Sequence, residues 1–539
     1  MKNLSKIDVL IVGAGPTGLM LANQLARRGA RPLIVDRNPG PSIRTKALGV
    51  QSRTLEIYSQ LGIAERALEL GTRAIGANMW VNGQRATRIP FGDIGRGLSP
   101  YPFLLILGQD DNERLLVNAL REHDIDVQWN TELVGLTQNA EHARATLKRA
   151  DGSALEIEAS WIAGCDGPGS TVRSLSKIDF PGAPYEHVFF VADTHMPGPM
   201  VPGELNLYLW RGGFHIFFPM HGSDHWRVVG IVPPELRARD DLEFDEVLPA
   251  VRNVVGPALS LQTCSWFSTY RIHHRRAERF REGRCFLLGD AAHIHSPVGA
   301  QGMNTGLQDA YNLAWKLALV TSGRADAGLL DSYESERVPV ADRLLKTTDQ
   351  AFSALVSDRW LAGLFRTRIV AKLAAFAMGR ERIRKLAFLT ISQTGIHYAN
   401  SPLSQQLAGL PDGAPRAGDR FPWVKLKFSP NGAAEDLYAR LDDTRFNLIV
   451  MGQASLPADR SELDGLVLAH QVADDPVSDQ ELARARIPKP SFYLLRPDGH
   501  VGLAGTRLEA AAVIRYMAER MSVGQRNVNE LPTPSTLKQ

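Results

Sequence analysis

Apolar and polar positions near the start of the chain follow a strand–helix–strand pattern. Residues 8–12 read Asp-Val-Leu-Ile-Val, a run without alternation that predicts a strand buried in a parallel sheet. Residues 19–26 continue as a helix that ends at Gly29, and residues 32–35 form a second apolar strand. The pattern therefore predicts a βαβ unit at the N-terminus.

The turn between the first strand and the helix carries glycine at a fixed spacing. Gly13, Gly15 and Gly18 form G-x-G-x-x-G, with Pro16 and Thr17 between the last two. The first glycine permits a tight turn, the second lets a pyrophosphate approach the backbone, and the third lets helix and strand pack closely. The start of the helix offers N–H groups and a positive dipole end to that anion.

An acidic residue closes the second strand. Asp36 lies 18 residues after Gly18 and can accept hydrogen bonds from both hydroxyls of an adenosine ribose; Arg37 is a neighbouring candidate contact. A carboxylate there disfavours a 2′-phosphate, so FAD or NAD fits this site better than NADP. The alternative is a glycine-rich turn used only for packing, but strand, helix and acid together favour a dinucleotide.

Two later segments carry an aspartate beside a glycine at the end of an apolar strand. Residues 161–167 end in Asp166-Gly167, and residues 284–293 contain Gly289-Asp290. With the N-terminal fingerprint, these motifs resemble those of the single-component FAD-dependent aromatic hydroxylases (class A flavoprotein monooxygenases), of the phenol hydroxylase, p-hydroxybenzoate hydroxylase and polyketide hydroxylase type. The resemblance covers about the first 345 residues, and the combination is more specific than any one motif.

The resemblance implies the fold and its division. The fold would be α/β, with a Rossmann-like FAD-binding domain of the p-hydroxybenzoate hydroxylase type, an inserted antiparallel β substrate domain and a C-terminal thioredoxin-like domain. The expected segments are 1–175 and 282–400 for the FAD-binding domain, with the second part including a helical segment, 176–281 for the substrate domain, 401–415 for a linker, 416–525 for the last domain and 526–539 for a frayed tail. The last domain contains no cysteine, which excludes dithiol exchange there.

The resemblance also assigns cofactor contacts. Asp166 would serve FAD and the transient nicotinamide cofactor, Asp290 would hold the ribityl chain, and Pro297 with the 299–302 loop would border the isoalloxazine ring. The next helix would aim N–H groups at the pyrimidine end of the flavin and stabilise negative charge on its reduced form. The residues that open this helix are Gly302, Met303 and Asn304.

Residues 44–46 and 109–115 carry further features of the family. Gln109 opens a Q-x-x-x-E-R-L segment and would reach the phosphate–ribityl region of FAD. Lys46 stands where relatives usually have arginine, which keeps the charge but loses the bidentate fork. Arg44 is the cation that could substitute for it, and Ala300 stands where many members have glycine.

The region 176–281 shows no clear proton-handling group. Residues 206–210 and 214–219 predict a hairpin, and 226–231 a third strand. The density of aromatic residues suits a planar, largely apolar substrate, although core packing explains each aromatic singly. Tyr208 and His215 are catalytic candidates by position only, and a satisfied core histidine is the alternative reading of His215.

Composition excludes several classes. The chain has 539 residues, 61 basic and 58 acidic, and a net charge of +3, which gives no case for nucleic acid as a partner. Three cysteines without a C-x-x-C pair indicate a reducing, cytoplasmic setting, and no apolar run reaches the length of a membrane span. His293 and His295 have no third ligand nearby in the sequence, so no metal is expected.

By the resemblance, the chain is an NAD(P)H:oxygen monooxygenase with FAD as cofactor and NADPH or NADH as transient reductant. It would hydroxylate a phenolic or related small aromatic substrate with dioxygen, through a flavin C4a-hydroperoxide, and a homodimer is favoured. Another FAD oxidoreductase on the same scaffold is the first alternative: a dehydrogenase, an epoxidase or a Baeyer–Villiger oxygenase. A non-catalytic binding protein that keeps the dinucleotide fold is the second.

Overall fold

The computed structural model describes residues 5–43, 47–239, 241–296, 299–356, 380–455 and 465–523, and the single positions 363, 369, 373, 376 and 463. Its helices are α1 (Pro16–Arg27), α2 (Ser52–Gln60), α3 (Ala64–Leu70), α4 (Phe91–Gly95), α5 (Gln109–Arg121), α6 (Thr171–Leu175), α7 (Phe244–Val255), α8 (Gly302–Thr321), α9 (Asp331–Val356), α10 (Glu381–Ile391), α11 (Leu437–Arg440), α12 (Pro476–Arg484) and α13 (Ala510–Glu519).

Twenty-five strands accompany these helices in the described residues. They are β1 (Ser5–Val12), β2 (Pro32–Val35), β3 (Gly49–Val50), β4 (Thr72–Ala74), β5 (Gly76–Val81), β6 (Gln84–Pro90), β7 (Leu104–Ile106), β8 (Thr131–Gln138), β9 (Ala143–Arg149), β10 (Ala154–Gly164), β11 (Gly182–His195), β12 (Leu205–Trp210), β13 (Gly213–Pro219), β14 (His225–Ile231), β15 (Thr263–Arg276), β16 (Arg281–Glu282), β17 (Cys285–Leu287), β18 (His293–Ile294), β19 (Gln405–Gln406), β20 (Lys425–Leu426), β21 (Glu435–Asp436), β22 (Phe446–Met451), β23 (Val467–Gln471), β24 (Ser491–Leu495) and β25 (Val501–Gly505).

A seven-stranded sheet carries the N-terminal unit. β2, β1, β10 and β17 lie side by side and parallel, and β8, β9 and β16 add antiparallel strands. Val9, Leu10 and Ile11 are fully buried because helices cover the sheet, as the unbroken apolar run predicts. Since parallel strands end at the same edge, the turns after β1, β10 and β17 meet there.

An eight-stranded sheet follows the order β18-β15-β11-β14-β13-β12-β5-β6. It is larger than the region 176–281 predicts, because β5 and β6 come from residues 76–90, and β5 pairs with β12 in parallel. One face packs against α7, and α9 covers part of the other through Phe352. The hairpin strands extend one residue beyond the predicted ranges and are joined by Arg211 and Gly212.

The C-terminal sheet has the order β19-β25-β24-β22-β23. β19 lies within the predicted linker 401–415, yet it pairs with Leu503 and Ala504 of β25. Trp315 and Leu319 of α8 share a buried cluster with Phe446 and other residues of this sheet, so the sheet packs directly on α8. The predicted tail 526–539 lies outside the described residues.

No helix within the described parts of the chain is both long and apolar enough to cross a membrane.

Candidate functional site

The three glycines of the first turn have three different surroundings. A Cβ on Gly13, whose φ is +102°, would lie 2.4 Å from the carbonyl oxygen of Cys165. A Cβ on Gly18 would lie 1.9 Å from the carbonyl oxygen of Gly13. Gly15, in contrast, has no atom within 4 Å of its Cβ position. The turn is therefore closed by Gly13 and Gly18 and leaves open space beside Gly15, as a pyrophosphate requires.

Helix α1 begins beside this open space without a cap. Gly15 is its N-cap residue, no side chain caps the first turn, and Pro16 occupies the first helical position. The first N–H groups of a helix have no partner within it, so they are available to an anion. Asp36 lies beside this turn: one carboxylate oxygen accepts the N–H of Ala14 at 2.7 Å and the other accepts the N–H of Asn38 at 2.8 Å. We call the surface formed by the glycine turn, the start of α1, Asp36 and the segments that meet them the cradle. Arg37 is exposed beside it.

The separated motifs meet at this cradle. Gly13 contacts the backbone of Cys165 and Asp166, at the end of β10. Thr17 of α1 lies between the Gly289 turn and α8, because its Oγ1 is 2.7 Å from the Cβ position of Gly289 and 2.4 Å from that of Gly306. The N-terminal turn, the Asp166 turn and the Gly289 turn therefore form one continuous surface with the start of α8.

The side chain of Asn304 fixes the start of α8. Its Oδ1 accepts the N–H of Gln51 at 2.9 Å and the hydroxyl of Thr54 at 2.7 Å. Its Nδ2 donates to the carbonyl oxygens of Gly49 and Ala300, both at 2.8 Å. The residue is fully buried and all these side-chain bonds are internal, so any cofactor contact at Asn304 would come from the backbone.

The first turn of α8 has backbone N–H groups that no side chain caps. No side chain caps the N-terminus of α8, so its backbone N–H groups at Gly302 and Met303 face outward from the helix end. Sδ of Met303 accepts a hydrogen bond from Nδ2 of Asn112 at 3.4 Å. Ala300 has φ of +52°, a backbone region that favours glycine, which agrees with the glycine found there in many family members.

Gln109 supports the segment before β3 at the first position of α5. Its Oε1 accepts the N–H of Ala47 at 3.2 Å, and its Nε2 donates to Glu113 at 2.9 Å. Glu113 in turn accepts the N–H of Ser42 at 2.6 Å. Both side chains therefore hold the chain on either side of residues 44–46. Three predicted contacts lie outside the described residues: Arg44, Lys46 and Pro297.

The two aspartates of the later motifs differ in their surroundings. Asp166 accepts hydrogen bonds from the N–H of Thr171 at 2.7 Å and the hydroxyl of Ser170 at 2.5 Å, so it fixes the start of α6. Burial raises its pKa, against the opposing effect of these hydrogen bonds. Asp290 is exposed in the Gly289–Ala291 turn, at the edge where the strands end.

The eight-stranded sheet turns a mixed face toward the cradle. Leu205 and Phe218 pack against a small buried cluster that contains Leu48, the residue before Gly49. On the same face, Leu207, Ile216 and Val229 stand side by side on three neighbouring strands, and each is only partly buried. We call these three residues the apolar floor. Sequence reasoning missed them because alternation shows two faces but not which one is open.

The apolar floor lies between two rows of side chains, in which Arg227 and Phe189 are buried and Asp193 and Tyr270 are half-buried. On one side, Asp193 forms a bidentate ion pair with Arg227, whose Nε lies 2.5 Å from Oδ1 of Asp193. On the other side, Tyr270 packs beside Phe189 with ring centroids 6.1 Å apart. Burial raises the pKa of Tyr270, and the charge of Arg227 opposes this. The floor is thus apolar with polar groups at both margins.

Tyr208 and His215 lie on the opposite face. They pair across β12 and β13 and point toward α7, where Tyr208 stacks on Trp80 with ring centroids 5.2 Å apart. Neither ring nitrogen of His215 has a hydrogen-bond partner, and burial lowers its pKa to about 3. Neither side chain reaches the apolar floor, and nothing in this placement supports a catalytic role for either.

The described residues contain no group of three or more histidine, cysteine, aspartate or glutamate side chains that could hold a metal ion. His293 instead bonds to Asp309, and His295 to the carbonyl oxygen of Ser296 at 2.8 Å.

The arrangement fits FAD. The open space at Gly15 and the uncapped start of α1 suit a pyrophosphate, and the fixed carboxylate of Asp36 suits an adenosine ribose. The start of α8 lies on the same surface and suits the electron-accepting end of a flavin.

Comparison with known proteins agrees with this geometry. The family model described as an FAD binding domain matches residues 6–348. A 6-methylpretetramide 4-monooxygenase of Streptomyces rimosus is 31% identical over 519 residues, covering 93% of this chain and 91% of that protein. A pentachlorophenol 4-monooxygenase of Sphingobium chlorophenolicum is 34% identical over 346 residues, covering 63% of each chain.

A solved structure also matches nearly the whole chain. Aklavinone-11 hydroxylase, in a ternary complex with FAD and aklavinone, has a TM-score of 0.79 and 25% identity, covering 97% of this chain and 100% of that one. The α/β fold is therefore that of FAD-binding aromatic hydroxylases, and the cofactor is FAD. This chain belongs to the FAD-dependent aromatic hydroxylases, the class A flavoprotein monooxygenases.

Proposed function

We propose that this monooxygenase hydroxylates a phenolic or related aromatic ring that lies on the apolar floor, with NADH or NADPH as the transient reductant of FAD. The observation that carries the proposal is the floor itself: Leu207, Ile216 and Val229 stand side by side on one face of the sheet, and each is partly exposed. A flat apolar surface with polar margins is the usual form of a site for a planar substrate. A relative named for pentachlorophenol agrees with a phenol as substrate.

The margins of the floor would orient the substrate. Arg227 and Asp193 neutralise each other, so this margin offers directed hydrogen-bonding groups rather than a net charge. The hydroxyl of Tyr270 borders the other margin. A phenol is most reactive as its phenolate, so a substrate hydroxyl at either margin would gain from a hydrogen bond that lowers its pKa.

The cradle would hold FAD through its three parts. Gly15 and the start of α1 would bind the pyrophosphate, Asp36 would bind the adenosine ribose, and the backbone at Gly302 and Met303 would stabilise negative charge at the flavin. FAD, when bound, supplies reduction by the nicotinamide and the activation of dioxygen. The chain's own part is to bind and orient the two reactants and to exclude water.

We also propose the finer division of the chain. The eight-stranded sheet would be the inserted substrate domain. The C-terminal sheet would be thioredoxin-like: β22 is parallel to β23 and antiparallel to β24, and β24 is antiparallel to β25. Because this region contains no cysteine, its role would be structural or in contacts between subunits.

One experiment separates these proposals from their alternatives. The purified holoenzyme is mixed with NADH or NADPH, with and without a panel of phenols, while oxygen uptake and products are measured. Faster oxygen uptake with a phenol, and a catechol or hydroquinone product, supports the proposal. Anaerobic reduction by NAD(P)H without any oxygenated product in air would indicate a dehydrogenase, and colourless protein that binds no FAD would indicate a binding protein.

A further inference from the structure

We propose that residues 496–500, the turn between β24 and β25, position the two helices that begin at the flavin cradle. We call this turn the C-terminal loop. It belongs to a different sheet from the cradle, yet it contacts α2, α8 and α9 through fully buried polar groups. The proposal concerns FAD binding and is independent of which substrate the enzyme hydroxylates.

The loop contacts α8 at two successive turns. The hydroxyl of Tyr311 donates to the carbonyl oxygen of Pro497 at 3.1 Å and also to the side chain of Gln60 in α2. The indole Nε1 of Trp315 donates to Oδ2 of Asp498 at 3.2 Å. Tyr311 and Trp315 are 3% and 1% exposed, so no water competes freely for these bonds.

The loop contacts α2 through Arg53. Nη2 of Arg53 donates to the carbonyl oxygen of Asp498 at 2.6 Å, and Nη1 contacts Glu56 at 3.1 Å. A second contact comes from Arg420, which forms an isolated β-bridge with His500 of the loop and donates to both carboxylate oxygens of Glu56, at 2.9 and 2.6 Å. Helix α2 is therefore held to the C-terminal sheet at two of its turns.

A buried charge network fixes the loop itself. Arg496 donates to both oxygens of Glu336 in α9, at 2.5 and 3.0 Å, and also contacts Asp498. Glu336 accepts Nζ of Lys316 in α8 at 2.8 Å. Removing one member would leave another charge buried without its partner, so these groups tolerate little displacement.

The same two helices are joined at their first turns, next to the cradle. There Asn304 of α8 accepts the N–H of Gln51 and the hydroxyl of Thr54 of α2. The loop holds the helices further along, so the orientation of their starts depends on contacts at both places. Tyr311, Trp315 and Asp498 are thus positioning residues, which act on FAD through α2 and α8 rather than by touching it.

The test removes the hydrogen bonds that Tyr311 and Trp315 donate to the loop, together with the bond from Tyr311 to Gln60 of α2. The double variant Tyr311→Phe/Trp315→Phe keeps an aromatic ring at both positions, although the ring at 315 is smaller. The matched control is Thr194→Val, because that hydroxyl is also buried and donates to the carbonyl oxygen of Trp226 at 3.1 Å, within the eight-stranded sheet and away from α2 and α8. FAD is removed from each protein, and its rebinding is followed by flavin fluorescence, with the melting temperature of the FAD-free protein as the second measurement.

We expect the dissociation constant for FAD to rise about tenfold in the double variant and to stay within about twofold in the control. A tenfold rise corresponds to a loss of about 1.4 kcal/mol in the free energy of FAD binding. An unchanged FAD affinity, with melting temperatures lowered equally in the two proteins, would overturn the proposal and leave the loop as a stability element only.

A measurement on the unaltered enzyme covers the case in which the variant does not fold. Coupling between two sites is reciprocal, so FAD that is held through α8 must in turn stabilise the loop. Amide hydrogen exchange of residues 496–505 should slow when FAD is added, together with that of α8. Slower exchange in α8 alone would contradict the proposal.

Discussion

His293 and Asp309 form a buried pair in which Nε2 of His293 lies 2.7 Å from Oδ2 of Asp309. The same oxygen accepts the N–H of Gly289 at 3.0 Å, and the other oxygen accepts Nε of Arg337 at 2.6 Å. Burial alone would raise the pKa of Asp309, but Arg337 and then His293 outweigh it and hold this pKa below its usual value. One ionised carboxylate of α8 therefore fixes the Gly289 turn at the edge of the cradle.

Replacement of this carboxylate should affect both stability and cofactor content. Asp309→Asn leaves Arg337 buried beside a neutral amide, so we expect a loss of about 3–5 kcal/mol in the free energy of unfolding and a lower FAD content. Thermal or urea unfolding and the flavin absorbance measure the two effects. The control is Asp331→Asn, whose side chain is 77% exposed in its pair with Arg281 and should contribute less than about 1 kcal/mol. Equal losses in both variants would contradict this assignment.

Because the space beside Gly15 is open, we expect a side chain placed there to weaken FAD binding without destabilising the fold. Gly15→Val adds a side chain whose Cβ has no protein atom within 4 Å and which occupies the proposed place of the pyrophosphate, so FAD affinity should fall at least about tenfold with little loss of stability. Gly328→Val is the matched control, because Gly328 also has nothing within 4 Å of its Cβ position and lies in a different turn. Titration with FAD and melting temperature are compared. Equal FAD affinity in the two variants would show that this turn serves packing.

A substitution in the apolar floor should weaken substrate binding and leave FAD binding unchanged. Ile216→Trp fills the centre of the floor, so we expect KM for the aromatic substrate to rise at least about tenfold. NAD(P)H oxidation without substrate and FAD content should stay near their normal values. Val134→Trp, at a position 47% exposed on β8 in the other sheet, controls for the added bulk. A loss of FAD in Ile216→Trp, or no change in KM, would remove the floor as the substrate site.

We expect His215 to make the stability of the protein depend on pH, because its side chain is buried. We expect no role for it in catalysis. Its pKa is lowered by burial from 6.5 to about 3, so between these values the unfolded chain binds a proton that the folded chain does not. The free energy of unfolding therefore falls as the pH is lowered through this range, by up to roughly 5 kcal/mol. His215→Leu should abolish this contribution and keep the hydroxylation rate within about twofold. A large loss of turnover with FAD still bound would restore His215 as a catalytic residue.

The sequence predicted the cradle well because its requirements are local. The spacing of Gly13, Gly15 and Gly18 between an apolar strand and a helix specifies a turn without reference to distant residues. Bounds of β2 were predicted correctly, and those of β1 and α1 fell only a few residues short. Hydrophobic runs define such elements because the parallel strands are buried on both faces.

What sequence reasoning missed depends on partners far along the chain. Asn304 was predicted to face the cofactor with its backbone N–H, which stays a prediction, but the role of its side chain was missed, because that side chain bonds residues such as Gln51, 253 positions away. The alternation of residues in β12 was clear from the sequence, but both faces of the strand are apolar. Only the packing of α7 shows that the face with Tyr208 is covered. The contribution of residues 76–90 to the second sheet was likewise invisible, because a strand does not reveal its neighbours.

The burial of Trp315 and Leu319 of α8 against Phe446 of β22 bears on where this protein can be cut. The matched FAD-binding region stops at residue 348, and a fragment ending there would expose this side of its own helix to water. We therefore expect a fragment that ends at residue 348 to be less stable and more prone to aggregate than the whole chain.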